Sequence, residues 1–345
     1  MRFGVIFSGS QFDQAGLDYS KNYRAYLDLA AEAEQLGYDE IWVPEHHFVR
    51  DGYCCAPLTF CAALAARTSR IRVGSYIALM PLHHPVAIAE QAAWVDALSG
   101  GRLDLGFGQG YRKEEFTAFG VDGSKKHNRM EESAAIVRRL LDSENVTYSG
   151  QYHKIPEPIT ISPRPVQKPF PIWMAGRGRM AIDRVAREGY HLASAGDPVQ
   201  VKLFTEACKR HGRRPEDFKI AQLRFGYCAE TVKQAWDDAE PSIHYLLSRY
   251  GKWISENQTL PGDEKIADLK PIGELRKGHP VSFFGLPLFL GTPDELIKLI
   301  ENLNAQGPFT DLVYDMAPPG LPIDKVRKSL QLFAKEVIPH FNRRK

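Results

Sequence analysis

At 345 residues the chain has room for one large α/β barrel or two ordinary domains, and either buries a sizeable core. A charged fraction of 25% and a hydrophobic fraction of 43% exclude the disordered and fibrous classes. The net charge is only +2, and the basic residues are scattered apart from the C-terminal Asn342-Arg343-Arg344-Lys345, so nothing points to a nucleic-acid partner.

The first strand is expected from Arg2 to Phe7. Its apolar run, Phe3 to Phe7, is shorter than a signal-peptide core, and no stretch approaches the length of a membrane span. A soluble cytoplasmic protein with no membrane partner is therefore expected. Tyr23 to Leu36 carries apolar residues at helical spacing and stops at Gly37. Asp39 to Val43 reads as the second strand and runs straight into Pro44-Glu45-His46-His47-Phe48. A helix from about Leu58 to Arg67 follows, then a third strand from Ile71 to Leu79. Pro85 to Leu98 is a helix that begins with proline, where the missing N–H costs nothing. Leu103 to Phe107 makes strand four.

Two helical stretches lie between Lys113 and Leu141, split near Gly120-Val121-Asp122-Gly123. Thr147 to His153 reads as a small hairpin, closed by the Pro-rich stretch from Ser162 to Pro171. Strand five is Pro171 to Ala175, followed by a Gly/Arg turn and a helix to Glu188. Strand six is His191 to Ser194, with a helix from about Pro198 to Arg210. Strand seven is Lys219 to Cys228, with a helix from about Thr231 to Tyr250. Thr292-Pro293-Asp294-Glu295 opens another helix, with Thr as its cap. Asp311 to Met316 is the last strand and Asp324 to Val337 the closing helix. Gly251 to Pro280 departs from the alternation, with little apolar periodicity, and is a candidate mobile lid.

About eight strand-then-helix units in order predict an α/β fold of the (β/α)8 TIM-barrel kind, a single domain over residues 1–345. It carries a hairpin insertion after strand four and a lid-like insertion after strand seven. The rival is a doubly wound sheet with a second domain, but there is no dinucleotide fingerprint after strand one and no break in composition. Five cysteines, an odd number without zinc spacing, are expected as reduced thiols.

On a barrel, the loops after strands two to five meet at one face. They bring His46 and His47, Tyr76 to Ala78, Gln109-Gly110-Tyr111, and Gly176-Arg177-Gly178-Arg179 together. The last of these combines glycines that let the backbone approach an anion, a helix start with unpaired N–H groups, and two arginines, which suits a phosphate. The adjacent His46 and His47 cannot both face one ion from a strand, so no metal is expected. No Gly-x-Ser-x-Gly elbow supports a hydrolase.

Four motifs in order carry a resemblance: Glu45-His46-His47-Phe48; Leu82-His83-His84-Pro85 with Ala89-Glu90; Leu98-Ser99-Gly100-Gly101-Arg102-Leu103; and Gly108-Gln109-Gly110-Tyr111 with Glu115-Phe116 and Phe119-Gly120. Together they resemble the bacterial luciferase-like flavin-dependent monooxygenase family across nearly the whole chain. The resemblance implies reduced FMN at the C-terminal mouth, O2 activated as a flavin hydroperoxide, a small organic substrate, a separate flavin reductase and a homodimer. It implies His46 as the catalytic histidine, flanked by Glu45. It also implies that Tyr76 and Ile77 pack on the flavin ring through a non-prolyl cis peptide, and that Gln109, Tyr111, Ala175, Gly176, Arg177 and Gly178 line the cofactor site. Gln109 stands where luciferase α chains have an arginine, and Gly108 where they have a reactive cysteine, so light emission is not implied. A deazaflavin-dependent hydride-transfer enzyme and a non-catalytic flavin-binding protein are the alternatives.

Overall fold

The computed structural model describes residues 1–194, 197–257, 271–276 and 287–342. In chain order the elements are β1 (Arg2–Ile6), α1 (Tyr19–Leu36), β2 (Glu40–Val43), α2 (Pro57–Arg67), β3 (Arg72–Ser75), β4 (Ala78–Leu79), α3 (Pro85–Ser99) and β5 (Leu103–Gly108). Then come α4 (Lys113–Ala118), α5 (Lys126–Asp142), β6 (Val146–Ser149), β7 (Lys154–Ile159), β8 (Ile172–Ala175), α6 (Arg179–Glu188), β9 (His191–Ser194), α7 (Pro198–Arg210) and β10 (Ile220–Cys228). The chain closes with α8 (Val232–Asn257), β11 (Phe289–Gly291), α9 (Pro293–Asn304), β12 (Asp311–Asp315), α10 (Ile323–Glu336) and α11 (Ile338–Asn342).

Parallel pairing runs from β1 through β2, β3, β5, β8, β9, β10 and β12 and returns to β1, closing an eight-stranded barrel inside a layer of helices. The period of two along each strand divides the core. Phe3, Val5, Phe7, Ile41 and Val43 pack outward against the helices. Ile6, Trp42, Tyr76, Trp173, Ala193, Ala221 and Val313 fill the barrel itself.

Local chemistry sets the ends of the elements. Gly37 closes α1 and Gly100 closes α3, both in the left-handed conformation. Thr292 and Glu295 form a reciprocal capping box on α9. The Ser99-Gly100-Gly101-Arg102 motif is a corner. The Arg102 guanidinium donates to the carbonyls of Ala65, Thr68 and Ile71 at 2.7–3.0 Å, tying the end of α2 to the start of β5.

The structure departs from expectation in three places. The third strand is broken in two, with a cis Tyr76–Ile77 peptide between β3 and β4. The short strand β11 was not anticipated; it pairs with the far end of β10 at Gly226–Cys228, beyond the stretch that pairs with β12. Helix α8 continues past Tyr250 to Asn257, so the first part of the expected lid is helix. Residues 271–276 form a turn docked on that helix, where the N–H groups of Gly273 and Leu275 donate to Glu240. The rest of the expected lid, 258–270 and 277–280, lies outside the described residues. The β6–β7 hairpin is antiparallel and sits between α5 and β8. Among the described residues, no helix is long and apolar enough to cross a membrane.

At the N-terminal floor of the barrel, Arg2 bridges Glu40 and Asp311, and Arg72 bridges Asp104. Two indole N–H groups join them, Trp42 donating to Glu40 at 2.8 Å and Trp173 to Asp104 at 3.0 Å.

Candidate active site at the barrel mouth

The alternation of β2 carries into the loop that follows it and separates two adjacent histidines. His46 turns toward the mouth, while Glu45 and His47 turn together to the other side. Glu45 is buried and accepts from three groups: His47 Nε2–H and His83 Nε2–H at 2.7 Å each, and the Leu79 N–H at 2.6 Å. Burial pushes this carboxyl up, but the bonds from His47 and His83 outweigh it and hold its pKa at about 2. Both Glu45 oxygens are thus engaged inside the protein, which argues against the expected cofactor contact; Glu45 locks the loop to the start of α3 instead. The sequence argument against a metal considered His46 with His47. The fold instead gathers Glu45, His47 and His83, whose ligating atoms lie within 4.8 Å of one another. Their 2.7 Å separations are those of charge-assisted hydrogen bonds.

His46 has a different setting. Its Nδ1–H donates to Glu115 Oε1 at 3.0 Å, and its Nε2 accepts from the Tyr111 hydroxyl at 3.2 Å. A carboxylate only accepts, so this contact selects the tautomer whose Nε2 lone pair faces the mouth. Burial lowers the His46 pKa and outweighs the raising influence of Glu115, so the ring is neutral at neutral pH. Glu115 also accepts from the His47 N–H at 2.9 Å and from Arg112 at 3.0 Å, and these donors and His46 hold it ionised against its burial. The sequence placed Glu115 in a recognisable motif without a role; only its contact with His46, 69 residues away in the chain, reveals one.

Four aromatic rings surround the imidazole: Trp253 at 4.8 Å, Tyr53 at 5.1 Å, Tyr111 at 5.5 Å and Tyr250 at 5.6 Å. Tyr250 and Trp253 come from the last turns of α8, which therefore reaches the mouth. Tyr53 and Tyr250 share a hydroxyl–hydroxyl hydrogen bond. The Arg112 guanidinium lies 4.3 Å from the Trp253 ring and donates to the His47 carbonyl. None of Tyr53, Tyr250, Trp253 and Arg112 was singled out as a site residue in the sequence, because their spacing carries no motif.

The remaining expected residues lie around the same mouth. Tyr76 fills the barrel interior, edge-on to Trp42, and its hydroxyl donates to the Ser194 carbonyl at 2.7 Å. Ile77 and Ala175 pack on top of that interior cluster. A Cβ on Gly108 would sit 1.5 Å from the Ile77 side chain, so the glycine leaves Ile77 room to lie across the barrel top. Gln109 accepts from His127 Nδ1–H at 2.8 Å, and His127 Nε2 accepts from Arg184 on α6 at 2.8 Å. The Gln109 amide NH2 makes no hydrogen bond to a described residue. Gly178, with φ +80°, is the N-cap of α6 and brings no side-chain cap, while Arg177 and Arg179 beside it are exposed. The first turn of α6 thus offers backbone N–H groups to an anion.

A closed parallel barrel thus carries at one mouth a neutral, oriented imidazole and a helix start whose backbone N–H groups suit an anion. The chain belongs to the luciferase-like monooxygenase family, whose family model matches residues 1–309. It is 28% identical to 4-hydroxyprotoasukamycin monooxygenase of Streptomyces nodosus subsp. asukaensis, over 92% of this chain and 86% of that one. It is 26% identical to the oxygenase component of the flavin-dependent trigonelline monooxygenase of Acinetobacter baylyi, over 94% and 91%. Among solved structures, monooxygenase RslO1 from Streptomyces bottropensis superposes with a TM-score of 0.83 at 26% identity, over 99% and 100%. The coenzyme F420-dependent tetrahydromethanopterin reductase of Methanopyrus kandleri shares the fold, with a TM-score of 0.72 at 20% identity over 99% of each chain. The chain is thus an oxidoreductase of a flavin-dependent monooxygenase family.

Proposed function

We propose that this protein is a monooxygenase that uses reduced FMN, delivered by a separate reductase, and O2 to oxygenate a small organic substrate. The observation that carries the reading is His46. It is a neutral imidazole with Nε2 turned to the mouth and Nδ1–H fixed by an ionised glutamate, enclosed by four aromatic rings. The named relatives support the reaction class, and the oxygenase component from Acinetobacter supports a two-protein arrangement.

The residues present suit a flavin. The α6 N-terminus with Gly176, Arg177 and Gly178 would hold its phosphate, with the Gln109 amide and Tyr111 alongside. Ile77, Ala175 and Tyr76 offer an apolar surface for its ring. When bound, the reduced flavin supplies the electrons that activate O2. The chain supplies the rest. His46 Nε2 accepts the proton released as the substrate reacts, an imidazole being suited to this near neutral pH. Glu115 stabilises the imidazolium that forms, and the ring of Tyr53, Tyr111, Tyr250 and Trp253 keeps bulk water from the reacting atoms.

The test is anaerobic mixing with FMNH2 followed by O2, together with a product screen over aldehydes, ketones and sulfur compounds. Flavin reoxidation several-fold slower than in free solution, with an oxygenated product, supports the reading; reoxidation at the free-flavin rate sinks it. The fold shared with F420 enzymes motivates the second reading, a deazaflavin hydride-transfer enzyme. Parallel titrations with FMN and F420 separate the two.

A further inference from the structure

Two strands round the barrel from His46, the last strand ends on a carboxyl that the mechanism above does not use. Alternation along β12 puts Asp311, Val313 and Asp315 on the inner side. Asp311 meets Arg2 at the floor and Val313 belongs to the interior cluster, so Asp315 stands at the mouth. It is only 6% exposed. Its one hydrogen bond among the described residues is accepted from the Ala317 N–H at 3.2 Å.

Several other buried carboxylates of this barrel have a guanidinium: Asp311 has Arg2, Asp104 has Arg72, Glu115 has Arg112 and Asp51 has Arg249. Asp315 has none among the described residues. Titratable groups within electrostatic reach of it include Tyr26 on α1, Tyr53 in the loop after β2, Tyr250 on α8 and Tyr314 on its own strand. All four hydroxyls are neutral, since burial pushes each of them up. Asp51 and Arg249, whose charges also bear on Tyr250, are bound to each other. Burial alone pushes the Asp315 carboxyl up to about 7. Tyr53 and Tyr250 both pack on His46 and both lie within electrostatic reach of Asp315, which links the carboxyl to the surroundings of the base.

We propose that Asp315 is the substrate-recognising group of the mouth, its carboxyl O–H donating a hydrogen bond to the carbonyl, hydroxyl or ether oxygen of a neutral organic substrate. The inference rests on reading this mouth as the substrate site of a flavin enzyme. A cationic substrate fits poorly, because two guanidinium groups already lie against Trp253, the ring nearest His46. Arg112 lies 4.3 Å from the Trp253 ring, and Arg249 lies 4.2 Å from Tyr245 and 5.6 Å from Trp253. A third cation there meets two like charges. A bare hydrocarbon leaves the buried donor unpaired, which costs more than the hydrogen bond contributes in water.

Three ring-matched probes, cyclohexanone, cyclohexylamine and methylenecyclohexane, distinguish these cases on the FMN-loaded protein. Binding is read by ligand-observed NMR at about pH 5.5 and about pH 8.5. Cyclohexanone is expected to bind best, and to weaken about tenfold or more at the higher pH as Asp315 ionises. Asp315→Asn keeps a donor that does not titrate, so its cyclohexanone affinity stays level across the range; Asp315→Leu loses the preference over methylenecyclohexane. The proposal is overturned if cyclohexylamine binds best, if cyclohexanone and methylenecyclohexane bind alike, if no probe binds, or if the pH dependence survives in Asp315→Asn. The wild-type pH comparison stands even if a variant fails to fold. An FMN titration on the same samples separates the two readings: normal FMN binding with level cyclohexanone affinity removes only the role of Asp315, whereas absent FMN binding removes the flavin reading and this one with it.

Discussion

The two ends of the barrel treat buried charge in opposite ways. At the floor, Asp311 and Asp104 are matched by Arg2 and Arg72, while Glu40 shares Arg2 with Asp311, accepts an indole N–H and has its carboxyl pushed up by burial and by Asp311. At the mouth, His46 is kept neutral with one nitrogen lone pair turned inward, and Asp315 has no cation beside it among the described residues. Compensated charge at the floor holds the strands in register, as expected for the end of such a barrel that does no chemistry. Uncompensated groups at the mouth cost stability and leave protons available to a bound molecule. The same contrast separates the adjacent histidines: His47 is committed to the Glu45 carboxylate, and His46 Nε2 faces the mouth with only the Tyr111 hydroxyl on it.

If that contrast is right, changes at the mouth act on turnover and changes at the floor act on stability. His46→Ala is expected to lower kcat/KM for a substrate found in the screen by about 10²–10⁴-fold, while flavin affinity and Tm stay unchanged. A large Tm loss in that variant breaks the distinction. Arg2→Met strands two buried acids at the floor, so denaturant unfolding should show a loss of roughly 3 kcal/mol with flavin binding preserved in the folded fraction.

For Asp315 the folded pKa lies above the ordinary carboxylate value. Its contribution to stability is therefore full below about pH 4 and is lost as pH rises through about 7. Asp315→Asn removes that loss, so its stability advantage over wild type should grow between pH 5 and pH 8, by roughly 1–3 kcal/mol in urea melts. An advantage that shrinks with pH contradicts the sign. Glu115→Gln is the mildest change. It removes the group that raises the His46 pKa, so activity should fall about tenfold and the acid limb of the pH profile should move to lower pH. A limb that stays in place assigns the titration to another group.

Much of the barrel was legible because strand and helix patterns are local. Glycine stops, proline starts and the Thr292 cap declare themselves within a few residues. β11 escaped notice because three residues carry no period, whereas the end of α8 does keep helical apolar spacing through Leu246, Leu247, Trp253 and Ile254, carried across Gly251. The most recognisable motif, Ser99 to Arg102, identified the family and yet performs a structural task, tying α2 to β5. The Glu45-His46-His47 stretch was singled out for His46, with Glu45 flanking it; the fold turns His46 to one side of the loop and Glu45 with His47 to the other.

From the sequence alone followed the order of the elements, the closure of eight strand–helix units and the residence of His46 and the Gly176–Gly178 turn at one mouth, because periodicity and strand polarity are properties of neighbouring residues. Tertiary structure decided that His46 takes Glu115 while His47 takes Glu45, that Tyr250 and Trp253 enclose the imidazole, and that Asp315 meets no cation among the described residues. Partner choice and ionisation depend on burial and on charges contributed from distant parts of the chain, and these exist only once the barrel has closed.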